Sequence, residues 1–421
     1  MCEIYFVLLS LVSYGYRYLR NFHKRHLRIT KYIYLLNQLI CPEKIKKISA
    51  RIINRQNPAR NQLAQLLIFS MISLSPILQA RLSQPLKIGS FEVKSRVLQS
   101  PLSGVTDLVF RRLVRRYAPD SMMYTEMVNA TGLHYVKQLP KIMEVDPNER
   151  PISVQLFDCR PDFLAEAAIK AVTEGANTVD INMGCPVNKI TKNGGGSSLL
   201  RQPEVAEAIV REVVKAVDVP VTVKTRIGWN DNEITILDFA KRMEDAGAKM
   251  ITVHGRTRAQ GYNGNARWEW ITRVKEVLSI PVIGNGDIFS VEAAVRCLEQ
   301  TGADGVMCSR GTLGYPFLVG EIDHFLKTGE ILPPPTPIGR LECARDHLQA
   351  LWEYKGDRGV RQARKHMTWY AKGFVGAAEL RGQLSVIERV DQGLAMIDQA
   401  IEKLANGYEL EEEAQDNLVM I

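Results

Sequence analysis

What this chain of 421 residues lacks narrows its function first. Its seven cysteines, Cys2, Cys41, Cys159, Cys185, Cys297, Cys308 and Cys343, form no C-x-x-C pair and keep no regular spacing. That excludes a disulfide framework and a zinc site, fits reduced thiols in the cytosol, and leaves any cysteine to act alone. No metal ion is expected. No Rossmann fingerprint is present, so a nicotinamide dinucleotide has no dedicated site of its own. Long apolar runs are also missing. Ile4 to Val12 lacks a positive N-terminal flank and a small-residue cleavage site, which makes a poor signal peptide. Leu63 to Leu78 is only 16 residues long, contains Gln65 and Pro76, and is short for a spanning helix. The expectation is a cytoplasmic monomer without membrane association.

The formal charge of +8 points to a polyanion partner only until it is divided along the chain. Residues 1–85 hold 13 Lys and Arg against Glu3 and Glu43, whereas the remaining 336 residues are net −3. The basic character belongs to this leader, and any RNA contact must come from local patches. The leader itself reads either as an expressed segment or as sequence upstream of a true start at Met71.

From Leu86 onward short β-branched runs alternate with helical patterns, the signature of βα units around a parallel sheet. The predicted strands are 96–100, 122–126, 152–156, 178–182, 219–224, 250–254, 281–285 and 305–309. Helices are predicted over 161–174, 203–216 and 237–246, and Gly175, Gly247 and Gly302 sit just beyond such helices, where a left-handed C-terminal residue is expected. Eight strands over residues 86–330 predict a (β/α)₈ TIM barrel, close to the ~250 residues typical of that fold; an open doubly wound sheet is the runner-up. A Pro-rich linker over 331–340 follows, then a small all-helical domain over 341–405 and an acidic tail over 406–421.

Unusual polar residues fall at the strand ends, where such barrels carry their chemistry. The first strand ends in Ser100-Pro101-Leu102-Ser103, the third in Gln155, and the fourth in Asp180, Asn182 and Cys185. The fifth ends in Lys224 and Arg226, the sixth in His254-Gly255-Arg256-Thr257-Arg258, the seventh in Asn285-Gly286-Asp287 and the eighth in Ser309-Arg310-Gly311.

Asn182-Met183-Gly184-Cys185-Pro186, Thr225-Arg226-Ile227-Gly228-Trp229, His254 to Arg258, Asn285-Gly286-Asp287-Ile288 and the later Arg361 to His366 together resemble the tRNA-dihydrouridine synthase family, most closely its bacterial B-type branch. The resemblance runs from about Ser90 to Leu404. It implies FMN as cofactor, NADPH or NADH as a transient reductant, and tRNA as substrate. It implies that a D-loop uridine is reduced across C5–C6, with Cys185 delivering the proton. A thiol with an ordinary pKa of ~8.5 is still protonated at pH 7 and suits that task. The loop after it contains Gly194-Gly195-Gly196 and reads as flexible enough to close over a base.

On this resemblance Pro101, Leu102, Ser103, Gln155, Lys224 and His254 face the flavin ring. Asn285, Gly286, Asp287, Ser309 and Arg310 cradle its phosphate. Asn182 and Tyr262 hold the uracil. Lys189, Lys192, Arg256, Arg258 and a helical stripe of Arg358, Arg361, Lys365 and Lys372 meet the RNA backbone. The chain departs from the family at Ser309, where glycine is usual, and at Ser100, Leu102 and Ser103, in place of Ala, Met and Ala. Two other readings stay open: an FMN barrel acting on a free pyrimidine or small enone, similar to dihydroorotate dehydrogenases, and a non-catalytic RNA-binding protein on the same fold.

Overall fold

Runs of Val, Ile and Met buried on both faces, each followed by a helix, set the architecture of the computed structural model, which describes residues 74–406. Helix α1 (Pro76–Leu82) and the antiparallel hairpin β1 (Leu86–Ile88) and β2 (Phe91–Val93) come first. The barrel then runs β3 (Val97–Gln99), α2 (Leu108–Tyr117), β4 (Met123–Tyr124), β5 (Val128–Asn129), α3 (Ala130–Tyr135), β6 (Ile152–Phe157), α4 (Pro161–Thr173) and β7 (Thr178–Met183). It continues with α5 (Asn188–Thr191), α6 (Pro203–Ala216), β8 (Val221–Arg226), α7 (Ile236–Asp245), β9 (Met250–His254), α8 (Glu269–Val277), β10 (Val282–Asn285), α9 (Val291–Thr301), β11 (Gly305–Cys308) and α10 (Leu318–Thr328).

All pairs in the large sheet are parallel, in the order β3, β11, β10, β9, β8, β7, β6, β4, with β5 also on β6. The ring closes through Gln99 N, which donates to Met122 O at 3.0 Å. This is the expected (β/α)₈ barrel. The predicted strand over 122–126 proves to be two short pieces. Tyr124 pairs with Ser153 and Val128 with Leu156, so one extra residue bulges out between them. Thr125 Oγ1 accepts Gln155 N at 3.1 Å across that bulge, and Glu126 is carried out of the ladder toward the mouth.

Register sets the site residues in layers. Asn182 pairs with Lys224, Arg226 with His254, and His254 with Asn285. The helices are started by the residues that favour it: Asp107 Oδ1 accepts Phe110 N at 3.0 Å, Ser290 Oγ accepts Ala293 N at 3.2 Å, and Pro161 and Pro203 open α4 and α6.

Two predicted boundaries move. The leader's last dozen residues belong to the barrel: Gln79 Nε2 donates to Leu326 O at 2.6 Å, and Arg81 donates to Gly302 O and Ala303 O at 2.8 and 3.0 Å. Pro337, assigned to the linker, is the first residue of α11 (Pro337–Lys355), because proline's missing N–H costs nothing there and Thr336 Oγ1 caps Gly339 N at 3.1 Å. The tail continues with α12 (Asp357–Tyr370), α13 (Ala377–Leu384) and α14 (Val390–Ala405). Its apolar core, including Leu341, Leu348, Val360, Met367 and Ile397, is continuous with Val109 and Leu113 of α2. Lys372 falls beyond the end of α12, so the predicted basic stripe stops at Lys365. No helix among the described residues is long and apolar enough to cross a membrane. The run Ile4 to Val12, most of Leu63 to Leu78, Met71 as a start and the acidic tail lie outside the described residues.

Candidate active site at the mouth of the barrel

Cys185 follows β7 directly, and its backbone is held by the strand end. Asn182 Oδ1 accepts Gly184 N at 3.1 Å and Cys185 N at 2.9 Å. Asn182 Nδ2 donates to Gln155 Oε1 at 2.9 Å, Gln155 Nε2 to Asp180 Oδ2 at 2.7 Å, and Thr222 Oγ1 to Asp180 Oδ1 at 2.6 Å. The predicted flavin-facing amide and the predicted uracil-facing amide are therefore joined in one chain. Burial raises Asp180 to about 6 and pushes the Cys185 thiol up, against smaller opposing effects of the Val187 N–H and of Arg226 and Lys224. Cys185 is a neutral thiol at pH 7.

The glycines after it do not serve the predicted flexibility. Gly195 to Leu200 are buried, Gly196 has φ +59°, and a Cβ on it would lie 2.8 Å from the Cys185 carbonyl. That carbonyl accepts Ser197 N at 3.0 Å and Ser197 Oγ at 2.9 Å. Gly196 is required for close backbone approach, which fixes the loop in place.

Around β8 to β11 cations converge. Lys224 Nζ donates to Asn285 Oδ1 at 3.1 Å, and Asn285 Nδ2 donates to Met307 O at 2.9 Å and Ser309 Oγ at 3.1 Å. Burial, then Arg226, lower Lys224 to about 8. His254 is driven well below its ordinary value by burial and by Arg226, Lys224, Arg256 and Arg310, so it is a neutral ring; its Nε2 lies 3.4 Å from Arg256 Nη1. Asp287 bridges Arg256 and Arg310 at 2.8 and 3.2 Å. Gly286 at φ +110° leaves no room for a Cβ, which would meet Ala266 Cβ at 2.8 Å and His254 Cδ2 at 2.9 Å; Asp287 follows at φ +58°. Four cations converging on His254, two of them bridged by Asp287, with left-handed backbone between strand and helix, fit an anionic, phosphate-bearing cofactor. Pro101 and Leu102 are half-buried and Ser103 exposed on the neighbouring loop, which is turned by Val105 N and Thr106 N donating to Leu102 O at 3.0 Å each.

The residues expected to face RNA divide. Lys189, Lys192, Arg358, Arg361 and Lys365 are exposed. Tyr262 is 51% exposed, with the Arg310 and Arg226 guanidinium carbons 4.8 and 5.7 Å from its ring centroid. Arg258 is half-buried, 4.6 Å from the Trp229 ring and bonded to Asn188 Oδ1. Arg256 is 2% exposed and spends its donors on Asp287, Asn263 O and Gly264 O, so it braces loops instead of meeting an RNA backbone.

Three residues given no role on sequence grounds hold the site together. Arg226 donates to Gly184 O at 2.8 Å, Thr257 O at 2.9 Å and Gly261 O at 2.8 Å, tying the Cys185 loop to the Tyr262 loop. The carboxylate of Glu126 accepts Gly104 N, fixing the loop after β3. Asp107 joins that loop to the tail. For Asp107 the available signal was an acid three residues after Gly104 at a strand end.

A closed parallel barrel with a neutral thiol, a neutral imidazole and a cationic cradle at the C-terminal ends of its strands is the architecture of a barrel enzyme. The dihydrouridine synthase (Dus) family model matches residues 98–406. The chain is 71% identical over 319 residues to "Probable tRNA-dihydrouridine synthase 1" of Synechocystis sp., covering 76% of this chain and 90% of that one. It is 42% identical to "Probable tRNA-dihydrouridine synthase" of Rickettsia bellii (75% and 97% covered) and 40% to "tRNA-dihydrouridine synthase B" of Pseudomonas aeruginosa (74% and 95% covered). The chain belongs to the dihydrouridine synthase family, whose members are flavin-dependent oxidoreductases.

Proposed function

We propose that this chain reduces the C5–C6 double bond of D-loop uridines in tRNA, with FMN as its flavin and NADPH or NADH as reductant. The observation that carries this reading is Cys185, a thiol kept protonated by burial at the end of β7, beside a cationic cradle. Bound and reduced, FMN supplies a hydride to C6 of the uracil. Cys185 Sγ–H gives its proton to C5, and the resulting thiolate regains a proton from solvent, so one hydride and one proton complete the reduction. Lys224 sets a positive charge against the flavin ring, with Gln155, His254, Pro101, Leu102 and Ser103 around it. Asn285, Gly286, Asp287, Ser309 and Arg310 hold the phosphate, and the Ser309 hydroxyl, which stands where glycine is usual, accepts Asn285 Nδ2. Asn182 and Tyr262 orient the extruded base. Lys189, Lys192, Arg258, Arg358, Arg361 and Lys365 meet the RNA backbone, as a monomer acting in the cytoplasm.

The test is nucleoside mass spectrometry of tRNA treated with the purified protein, FMN and NADPH. Dihydrouridine should appear, and Cys185→Ala should keep flavin reduction while losing tRNA turnover by ~10²-fold or more. Full turnover in that variant would remove the cysteine from its role, and no dihydrouridine with the wild type would remove the activity.

A further inference from the structure

Helix α12 has two working faces. Arg358 and Arg361 are exposed, whereas Gln362 turns inward, its Nε2 donating to Asp107 Oδ2 at 3.1 Å and to the Gly104 carbonyl at 3.3 Å. Lys355, at the end of α11, donates to the same Asp107 oxygen at 2.6 Å and to Gln362 Oε1 at 2.9 Å. The Lys365 ammonium lies 3.0 Å from the place a Cβ on Gly104 would take. On the barrel side the Glu126 carboxylate accepts Gly104 N, and the other Asp107 oxygen caps α2. The loop from Pro101 to Thr106 is thus gripped by the barrel from one side and by the tail from the other.

The grip is not needed to attach the tail, which already shares an apolar core with Val109 and Leu113. A buried charged pair commonly adds little to stability over a well-packed apolar contact of similar volume. Asp107 is 5% exposed, so its bonds to Lys355 and Gln362 are charge-assisted bonds in a dry setting, short and directional.

We propose that Lys355 and Gln362 are positioning residues: through Asp107 and the Gly104 carbonyl they set the Pro101–Thr106 loop against the flavin, and RNA seated on Arg358 and Arg361 acts on the reaction site through them. This rests on the reading that flavin and tRNA bind as proposed above. Its consequence is that the tail is part of the reaction site as well as a docking surface.

The test uses the full chain with Lys355→Met and, separately, Gln362→Met, which keep length and remove the donors. Amide exchange at Leu102 to Thr106 in flavin-free protein should quicken at least threefold, with α13 unchanged. The FMN dissociation constant, read by flavin fluorescence, should rise at least threefold. With tRNA, kcat should fall while KM stays within twofold, and Lys355→Arg should restore all three. Unchanged exchange, FMN affinity and kcat in both variants would overturn the proposal. So would an effect confined to KM for tRNA, which would make these residues RNA contacts only. If Lys355→Met does not fold, Gln362→Met decides alone. A wild-type chain that neither binds FMN nor reduces tRNA defeats the functional reading, and exchange at Leu102 to Thr106 still reports on the grip.

Discussion

Replacing Lys224 by methionine should disable the protein without weakening it, and the pH dependence of its stability tells why. Burial, then the neighbouring Arg226, lower the ammonium from 10.5 to about 8. At ~1.36 kcal/mol per pKa unit, holding that proton in the folded chain at pH 7 costs about 3 kcal/mol. Methionine removes the cost at similar volume. It also deprives Asn285 Oδ1 of the Nζ donor now at 3.1 Å, and an unpaired buried acceptor costs about 1–3 kcal/mol. The flavin-free variant should therefore match the wild type at pH 7 or exceed it by up to about 2 kcal/mol. Between pH 8 and 10.5 the folded wild type has released the proton while the unfolded chain still holds it, so wild-type stability rises with pH across that window. The variant has no such rise, and its standing relative to wild type should decline by about 3 kcal/mol over the same range. Urea unfolding at intervals from pH 7 to 10.5, with unchanged m-values, measures this. A difference independent of pH would refute the claim that the site strains this lysine. Turnover on tRNA should fall by ~10²–10³-fold if the charge stabilises the reduced flavin.

Two structural predictions accompany it. Gly196→Ala must adopt φ +59° with its Cβ 2.8 Å from the Cys185 carbonyl, so it should lose about 1–3 kcal/mol and slow tRNA turnover at undiminished flavin content; thermal melting and single-turnover rates read both. Arg111→Met leaves Glu149 without the Nε and Nη2 donors at 2.9 and 3.0 Å in a site where both side chains are 1% exposed. It should cost about 3–5 kcal/mol, and a loss below about 1 kcal/mol in urea unfolding would show that the carboxylate finds water or a proton instead.

The barrel was legible because a parallel strand buried on both faces cannot hide its composition: Met250 to His254 is predicted to the residue, and the other main strands are misjudged by a residue or two at their ends. Pro337 misled because proline signals a break everywhere except at a helix's first turn. The hairpin from Leu86 to Val93 was invisible as a barrel element, since three-residue strands have no periodicity to read. At the site, the residues proposed to carry chemistry stood out by type and position. Their partners did not. Arg256 looks like Arg258 in sequence, yet one is sealed behind Asp287 and the other leans on Trp229, a distinction made by loops meeting in space. The glycine run announced freedom, yet Gly196 within it proved to be a tight fit against Cys185, because sequence shows what a residue permits and not what presses on it.

The continuous apolar core between α2 and the tail bears on how such a protein can change over time. A tail that buries Leu341, Val360 and Met367 together with the barrel's own Val109 and Leu113 cannot be traded between barrels like a cassette. A new choice of uridine would have to be reached by altering exposed side chains on a fixed frame, one position after another, with barrel and tail inherited as a single piece.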